Sequence, residues 1–237
     1  MYGYADKDEG SMGTHAVWNE SFLFKIPDNI PNEHAAPLQC GGATVYGAMK
    51  DVKPKDVVGI VGIGGLGHLA IQFASKMGCK VIVFSGSDSK KEEALKLGAS
   101  EFHAVKGVKS LKEVMDLKNE DNKIDHLVIT TSAQPQWDLY LPVMAPNGTI
   151  YPLSVSEGDL SLPYMPVLLQ GLRIQGSLVA ARKVHHEMLQ FASLHGIKPI
   201  IQTFPMTKEG VEECFKTLEE GKMRYRGVLA VEKESKL

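Results

Sequence analysis

The sequence predicts an α/β protein built on a doubly wound parallel sheet, with a second, smaller and incomplete unit assembled from its two ends. The prediction rests on uninterrupted apolar runs of strand length, on amphipathic helical stretches between them, and on a glycine-rich turn joining the first run to the first helix.

The first forty residues are rich in Gly, Asp and Asn and carry short apolar pieces such as Phe22-Leu23-Phe24-Lys25-Ile26-Pro27. They are expected to form extended segments and turns with no helix of their own. From Ala43 the pattern changes to Val57-Val58-Gly59-Ile60-Val61, Val81-Ile82-Val83-Phe84, Leu127-Val128-Ile129 and Thr149-Ile150-Tyr151. Such runs lack polar alternation, so both faces of each strand should be covered. Between the first two, Leu66, Leu69, Ala70, Phe73, Ala74 and Met77 recur at helical spacing, and Gly78 ends the stripe. Further helices are expected over Lys90 to Leu97, Leu111 to Leu117, Trp137 to Met144 and Pro166 to Leu169. The strand-helix rhythm runs to about Ser177. Beyond it come a helix near Val184 to Leu194, a strand near Pro199 to Thr203, a helix from Lys208 to Glu220 and a strand near Tyr225 to Val231. Residues 45–178 are therefore assigned to the doubly wound unit, and 1–44 with 179–237 to the second.

The 237-residue chain is 43% apolar and 23% charged, long enough to bury a full core. Its formal charge of −2, with both signs interspersed, disfavours nucleic acid and anionic membranes as partners. No apolar run is long enough to span a bilayer, and the stretch from Met1 to Glu9 lacks the layout of a secretory leader, so a cytoplasmic protein is expected. The three cysteines, Cys40, Cys79 and Cys214, are too scattered for a disulfide framework or a zinc knuckle.

Gly62-Ile63-Gly64-Gly65-Leu66-Gly67 fits the dinucleotide-binding fingerprint of a Rossmann domain, in the required strand-to-helix context. Gly62 permits the tight turn, Gly64 lets a pyrophosphate approach the backbone, and Gly67 lets the helix pack against the sheet. The helix start then offers free N–H groups to the phosphates. The alternative is a structural glycine turn with no ligand. About twenty residues on, a strand that binds NAD ends in an acidic residue for the ribose 2′-hydroxyl. Here the run is Ser85-Gly86-Ser87-Asp88-Ser89-Lys90-Lys91, hydroxyl donors followed by two ammonium groups. That composition favours the 2′-phosphate of NADP(H). Read otherwise, Lys90-Lys91-Glu92-Glu93 is a solvated first helical turn capped by Asp88 or Ser89.

Four stretches together resemble the zinc-containing medium-chain alcohol dehydrogenases, and among them the NADP-dependent cinnamyl alcohol dehydrogenase-like branch. They are Ala36-Pro37-Leu38-Gln39-Cys40-Gly41-Gly42-Ala43-Thr44-Val45-Tyr46, the glycine turn, Ser85 through Leu95, and Met223-Arg224-Tyr225-Arg226. The resemblance implies a Rossmann domain beside part of a GroES-like catalytic domain, and hydride transfer between the nicotinamide of NADP and a small-molecule primary alcohol or aldehyde. It implies Cys40 as a catalytic zinc ligand and Thr44 as the hydroxyl beside the nicotinamide. Ser85, Gly86, Ser87 and Lys90 would form the 2′-phosphate site, and Thr130 and Ser154 would line the cleft. Gly176, Ser177 and Leu178 would meet the carboxamide, and Arg226 the pyrophosphate.

The family's first cysteine ligand, its Gly-His-Glu motif and its four-cysteine structural zinc motif have no counterpart in the sequence. A catalytic zinc needs three protein ligands, so zinc is not expected to be retained and turnover by this chain is expected to be impaired. Two alternatives stay open: an NADP(H)-binding protein without catalysis, or a partner of a full-length relative; and a zinc-independent enzyme of the quinone or enoyl reductase kind. A homodimer through the strand near Arg173 to Ser177 is expected by analogy. Cys214 is expected in the core, on one stripe with Val211, Phe215 and Leu218; Cys79 likewise. His68 is expected to pack or to face solvent, not to catalyse. Leu178, Val179, Trp18 and Phe22 could wall an apolar substrate pocket or belong to the core.

Overall fold

The computed structural model describes residues 10, 12–13, 15–118, 122–156 and 158–231. The stretch from Met1 to Glu9, read above for a leader, lies outside the described residues. Six strands form one parallel sheet: β1 (Val57–Val61), β2 (Lys80–Ser85), β3 (Glu101–Ala104), β4 (Ile124–Ile129), β5 (Met144–Pro152) and β6 (Arg173–Ile174). Their order is β3-β2-β1-β4-β5-β6, with every pairing parallel. Chain direction across the sheet therefore reverses between β1 and β4, which opens a crevice at the carboxyl ends of those strands. A separate two-stranded parallel sheet pairs β7 (Ile201–Pro205) with β8 (Arg226–Ala230).

Every residue of β1 is buried, as a central strand covered on both faces requires. One face packs on the helix that follows it, α3 (Gly67–Lys76), through Leu69, Ala70, Phe73 and Ala74, none of which is exposed. The same core takes in Leu38, Met49 and, from the carboxyl-terminal part, Met188, Leu189 and Ala192. The opposite face buries Ile82, Phe84, Ile124, Leu127, Trp137 and Ile150. α4 (Lys91–Leu97) ends at Gly98, whose φ of 112° supplies the left-handed cap, with Ala99 N–H returning to the Ala94 carbonyl. α7 (Arg182–His195) and α8 (Lys208–Glu219) fall where the periodicity predicts them. Among the described residues no helix is long and apolar enough to cross a membrane.

Several local expectations are corrected. The first forty residues do contain a helix, α1 (Asn32–Pro37), started by His34 and Ala35 N–H bonds to the Pro31 carbonyl. Pro37 has no N–H to continue the ladder, and the chain widens into a π turn over Leu38–Gly42 before α2 (Ala43–Met49). The helix expected over Leu111 to Leu117 shrinks to a 3-10 turn, Leu111–Glu113. The Asp116 carboxylate accepts from Lys118 N–H at 3.2 Å and competes with the helical ladder, while Leu111 and Met115 are buried all the same. The Trp137 to Met144 stretch splits into α5 (Trp137–Tyr140) and a 3-10 turn at Leu141–Val143, because Pro142 cannot donate. α6 (Tyr164–Gln170) is longer than expected and leaves Tyr164, Leu168 and Leu169 exposed. Cys214 is only half-buried, with Phe215 and Leu218 exposed, so this stripe of α8 is not a closed core. Spacing shows that a helix has an apolar side; it does not show that something covers it. Cys79 is buried, as expected.

Candidate functional site

β1 runs straight into the glycine turn, and Gly62 takes a φ of 95° that a side chain would strain. Gly62 N–H bonds the Phe84 carbonyl of β2 at 2.8 Å, so the turn leaves the sheet in a fixed direction. A Cβ on Gly67 would sit 3.0 Å from both the Gly62 carbonyl carbon and Thr130 Oγ1, so only glycine lets α3 approach this closely. A Cβ on Gly64, by contrast, would meet nothing within 4 Å. Open space over backbone at the head of a helix fits an incoming phosphate.

Four side chains tie the carbonyls of this turn back, one each. The single Thr130 hydroxyl proton is shared between the Val61 oxygen, at 2.9 Å from Oγ1, and the Gly62 oxygen, at 3.1 Å. Lys90 Nζ donates to Ile63 at 2.7 Å. His68 Nδ1 lies 2.7 Å from the Gly64 oxygen, and Arg226 Nε donates to Gly65 at 3.0 Å. His68 is fully buried, and its Nε2 accepts from Ile200 N–H at 3.1 Å. That acceptor role makes Nδ1 the protonated nitrogen of a neutral ring. Burial pushes its pKa down to about 4, against a weaker opposing pull from the Gly64 carbonyl. The carbonyl dipoles are thus engaged on one side and the open space lies at Gly64.

The sequence-predicted residues gather unevenly. Ser85, at the end of β2, is half-buried, and Gly86 and Ser87 are exposed, with Ser87 and Ser89 hydroxyls 2.9 Å apart. The capping role considered for Asp88 or Ser89 is not seen: the residue before α4 is Lys90, after a 3-10 turn at Asp88–Lys90, and no side chain caps the helix. Thr130 and Ser154 follow β4 and β5 on the same carboxyl edge, but the Thr130 hydroxyl is spent on the turn. Thr44 is buried and its hydroxyl donates to the Cys40 carbonyl at 2.8 Å, one turn back. Gly176 and Leu178 are exposed and Ser177 is half-buried; Val179, at a φ of 51°, lies against Gly47 of α2. Of the candidate pocket walls, Phe22 and Leu178 are exposed and so are not core. Leu66, before the first residue of α3, is half-buried.

Cys40 is exposed in the π turn and lines a cavity of about 450 Å³ with Cys214, Phe215, Leu218 and Arg226. Among the described residues, no three His, Cys, Asp or Glu side chains are grouped so as to hold a metal. The described residues therefore do not fit the three-ligand zinc of the alcohol dehydrogenases. The glycine turn does fit a dinucleotide, by the open space at Gly64 and a helix head that no side chain caps. Sequence reasoning missed Glu93, and it read His68 without a role in the turn. Glu93 accepts from Arg224 Nη2 at 2.7 Å and from the Tyr225 hydroxyl. Its spacing of three from Lys90 was the only available signal.

The strand order, the switch point and the glycine turn together define a Rossmann-type α/β protein. The chain belongs to the zinc-binding dehydrogenase family, whose model matches residues 65–194. It is 34% identical to cinnamyl alcohol dehydrogenase 8 of Arabidopsis thaliana over 97% of its own length and 64% of that protein's. Among solved structures it is similar to a cinnamyl alcohol dehydrogenase of Sorghum bicolor, with a TM-score of 0.79 and 32% identity, over 89% of this chain and 58% of that one. The structure of CAD from Helicobacter pylori complexed with NADP(H) matches at a TM-score of 0.73 and 28% identity, over the same shares. The chain thus spans less than two thirds of the length of these relatives.

Proposed function

We propose that this chain binds NADP(H) as the nucleotide-binding part of an alcohol dehydrogenase-type oxidoreductase, with hydride transfer between the nicotinamide and a primary alcohol or aldehyde as the reaction it serves. One observation carries the reading: all the carbonyls from Gly62 to Gly65 are tied back by side chains while the space over Gly64 is open. The end of β2 and the residues after it extend it to the 2′-phosphate, since Ser85 and Ser87 supply hydroxyls, Gly86 between them carries no carboxylate, and Lys90 supplies a cation. Bound NADP(H) would supply the hydride; the chain's part is to hold the pyrophosphate at Gly64 and the head of α3, and to orient the dinucleotide along the crevice.

The non-catalytic reading is favoured by a separate observation, that Cys40 stands without a group of metal-ligating neighbours among the described residues. Calorimetric titration of the purified chain with NADPH and NADH, followed by aldehyde reduction assays with and without added zinc, separates these readings. Sub-millimolar NADPH binding at least about tenfold tighter than NADH supports the cofactor assignment. Reduction of an aldehyde by the bound cofactor would overturn the non-catalytic reading, and failure to bind either cofactor would overturn both.

A further inference from the structure

Lys90 has an unusual setting for a lysine expected to meet a phosphate. Its ammonium donates to the Ile63 carbonyl and lies 4.8 Å from the centre of the Tyr225 ring, half-buried instead of free in solvent. Burial draws its pKa below the ordinary lysine value, with Arg224 adding to the effect and Glu93 opposing it. The Tyr225 ring is itself held on several sides. His68 stacks on it with ring centres 5.0 Å apart, its hydroxyl donates to Glu93, and its backbone N–H bonds the Ile200 carbonyl at 3.1 Å. Arg224 completes the group, paired with Glu93 and 5.4 Å from the same ring.

Two consequences follow from this packing. A lysine stem has about 2 kcal/mol of rotamer freedom, and a π-face that attracts the ammonium removes much of it before any ligand arrives. Glu93, three residues on from Lys90 in the first turn of α4, would by itself repel a bound phosphate. Burial works to raise its pKa, but hydrogen bonds from Tyr225 and Arg224 outweigh that and bring it below the usual carboxylate value. Both carboxylate oxygens are thus satisfied inside the cluster, Oε1 by Arg224 and Oε2 by Tyr225.

We propose that Tyr225, fixed by Glu93 and His68, is a positioning residue that holds the Lys90 ammonium ready for the 2′-phosphate, so that cofactor preference depends on a residue at the foot of β8 outside the phosphate site itself. The inference rests on the NADP(H) reading above. Tyr225 acts through Lys90 and does not touch the cofactor. An ammonium has three N–H donors, so when the phosphate arrives it can take up a charged oxygen while keeping the Ile63 carbonyl and the ring.

The test compares the ratio of NADH to NADPH dissociation constants in the full chain, its Tyr225→Met and Tyr225→Phe variants, and each of them combined with Lys90→Ala. The methionine variant keeps the bulk and loses the ring, and the ratio is expected to fall about fivefold with NADH affinity held within about twofold. The phenylalanine variant keeps the ring and should retain most of the preference. In the Lys90→Ala background neither change should move the ratio further, which a merely structural role for Tyr225 would not produce. Parallel loss of both cofactors, or an equal effect with and without Lys90, overturns the proposal while leaving the NADP(H) reading intact. A wild-type chain without NADPH preference overturns that reading and the inference together. Should the methionine variant fail to fold, Tyr225→Leu takes its place, with the same fall in the ratio expected and an unchanged ratio overturning the proposal.

Discussion

Adding a single methyl group at Gly64 or at Gly67 should have opposite consequences. At Gly67 the new Cβ would press into the Gly62 carbonyl, with the carbonyl carbon and Thr130 Oγ1 each 3.0 Å away. The obstacle is backbone, held by Thr130 on one side and by the Phe84 carbonyl through Gly62 N–H on the other, so it has little room to move. Overpacking costs roughly 1–3 kcal/mol, and a rigid backbone neighbour places this case near about 3. For a chain of this size that corresponds to a melting temperature lower by roughly 5–10 °C. At Gly64 the methyl would meet no atom within 4 Å, so stability should stay within about 0.5 kcal/mol of wild type. It would, however, occupy the space proposed for the pyrophosphate, and NADPH affinity should fall at least about tenfold, or about 1.4 kcal/mol. Thermal unfolding followed by circular dichroism, with calorimetric titration of the same samples, measures both quantities. If Gly64→Ala binds NADPH like wild type, the phosphate does not approach the turn there and the site has been misread. An unchanged midpoint for Gly67→Ala would show that the close approach of α3 to the turn is not constrained as described.

Further outcomes are expected. A Cβ on Gly86 meets nothing within 4 Å, so Gly86→Asp should fold normally and shift preference from NADPH toward NADH, since the carboxylate repels a 2′-phosphate and accepts from a 2′-hydroxyl; unchanged relative affinities would count against the 2′ assignment. Arg226 lies against Gly41 and Gly65 and donates to the turn, so Arg226→Ala should weaken NADPH and NADH alike, whereas a loss confined to NADPH would move Arg226 to the 2′ site. His68 is neutral in the folded chain, with its pKa lowered to about 4 from 6.5, so the unfolded chain binds the extra proton first as pH falls. Its contribution is present above about pH 6.5 and is lost on acidification toward pH 4, up to roughly 3 kcal/mol. Denaturant titrations at several pH values should show that slope in wild type and a shallower one in His68→Gln; identical slopes would mean that His68 is not kept neutral by burial.

The sequence alone determined the central strands, most of the helices and the glycine turn, because each is a local matter; the edge strand β3, Glu101–Ala104, with one buried residue in four, carried no apolar run to show it. A strand covered on both faces must be apolar throughout, and a turn with positive φ at Gly62 and close packing at Gly67 needs glycine at those positions. Apart from α6, which runs longer than its spacing suggested, helix lengths were legible except where a proline withdrew a donor, as Pro37 and Pro142 do, or a side chain competed for one, as Asp116 does. Tertiary structure alone decided what the polar side chains around the turn do. Lys90 and Ile63 are 27 residues apart, His68 and Ile200 are 132 apart, and Arg226 and Gly65 are 161 apart. No periodicity links positions at such separations, since which donor meets which carbonyl depends on how β8 and α4 pack beside the turn. The exposed stripe of Phe215 and Leu218 has the same origin: spacing creates an apolar helix face, and only the packed molecule determines whether another surface removes it from water.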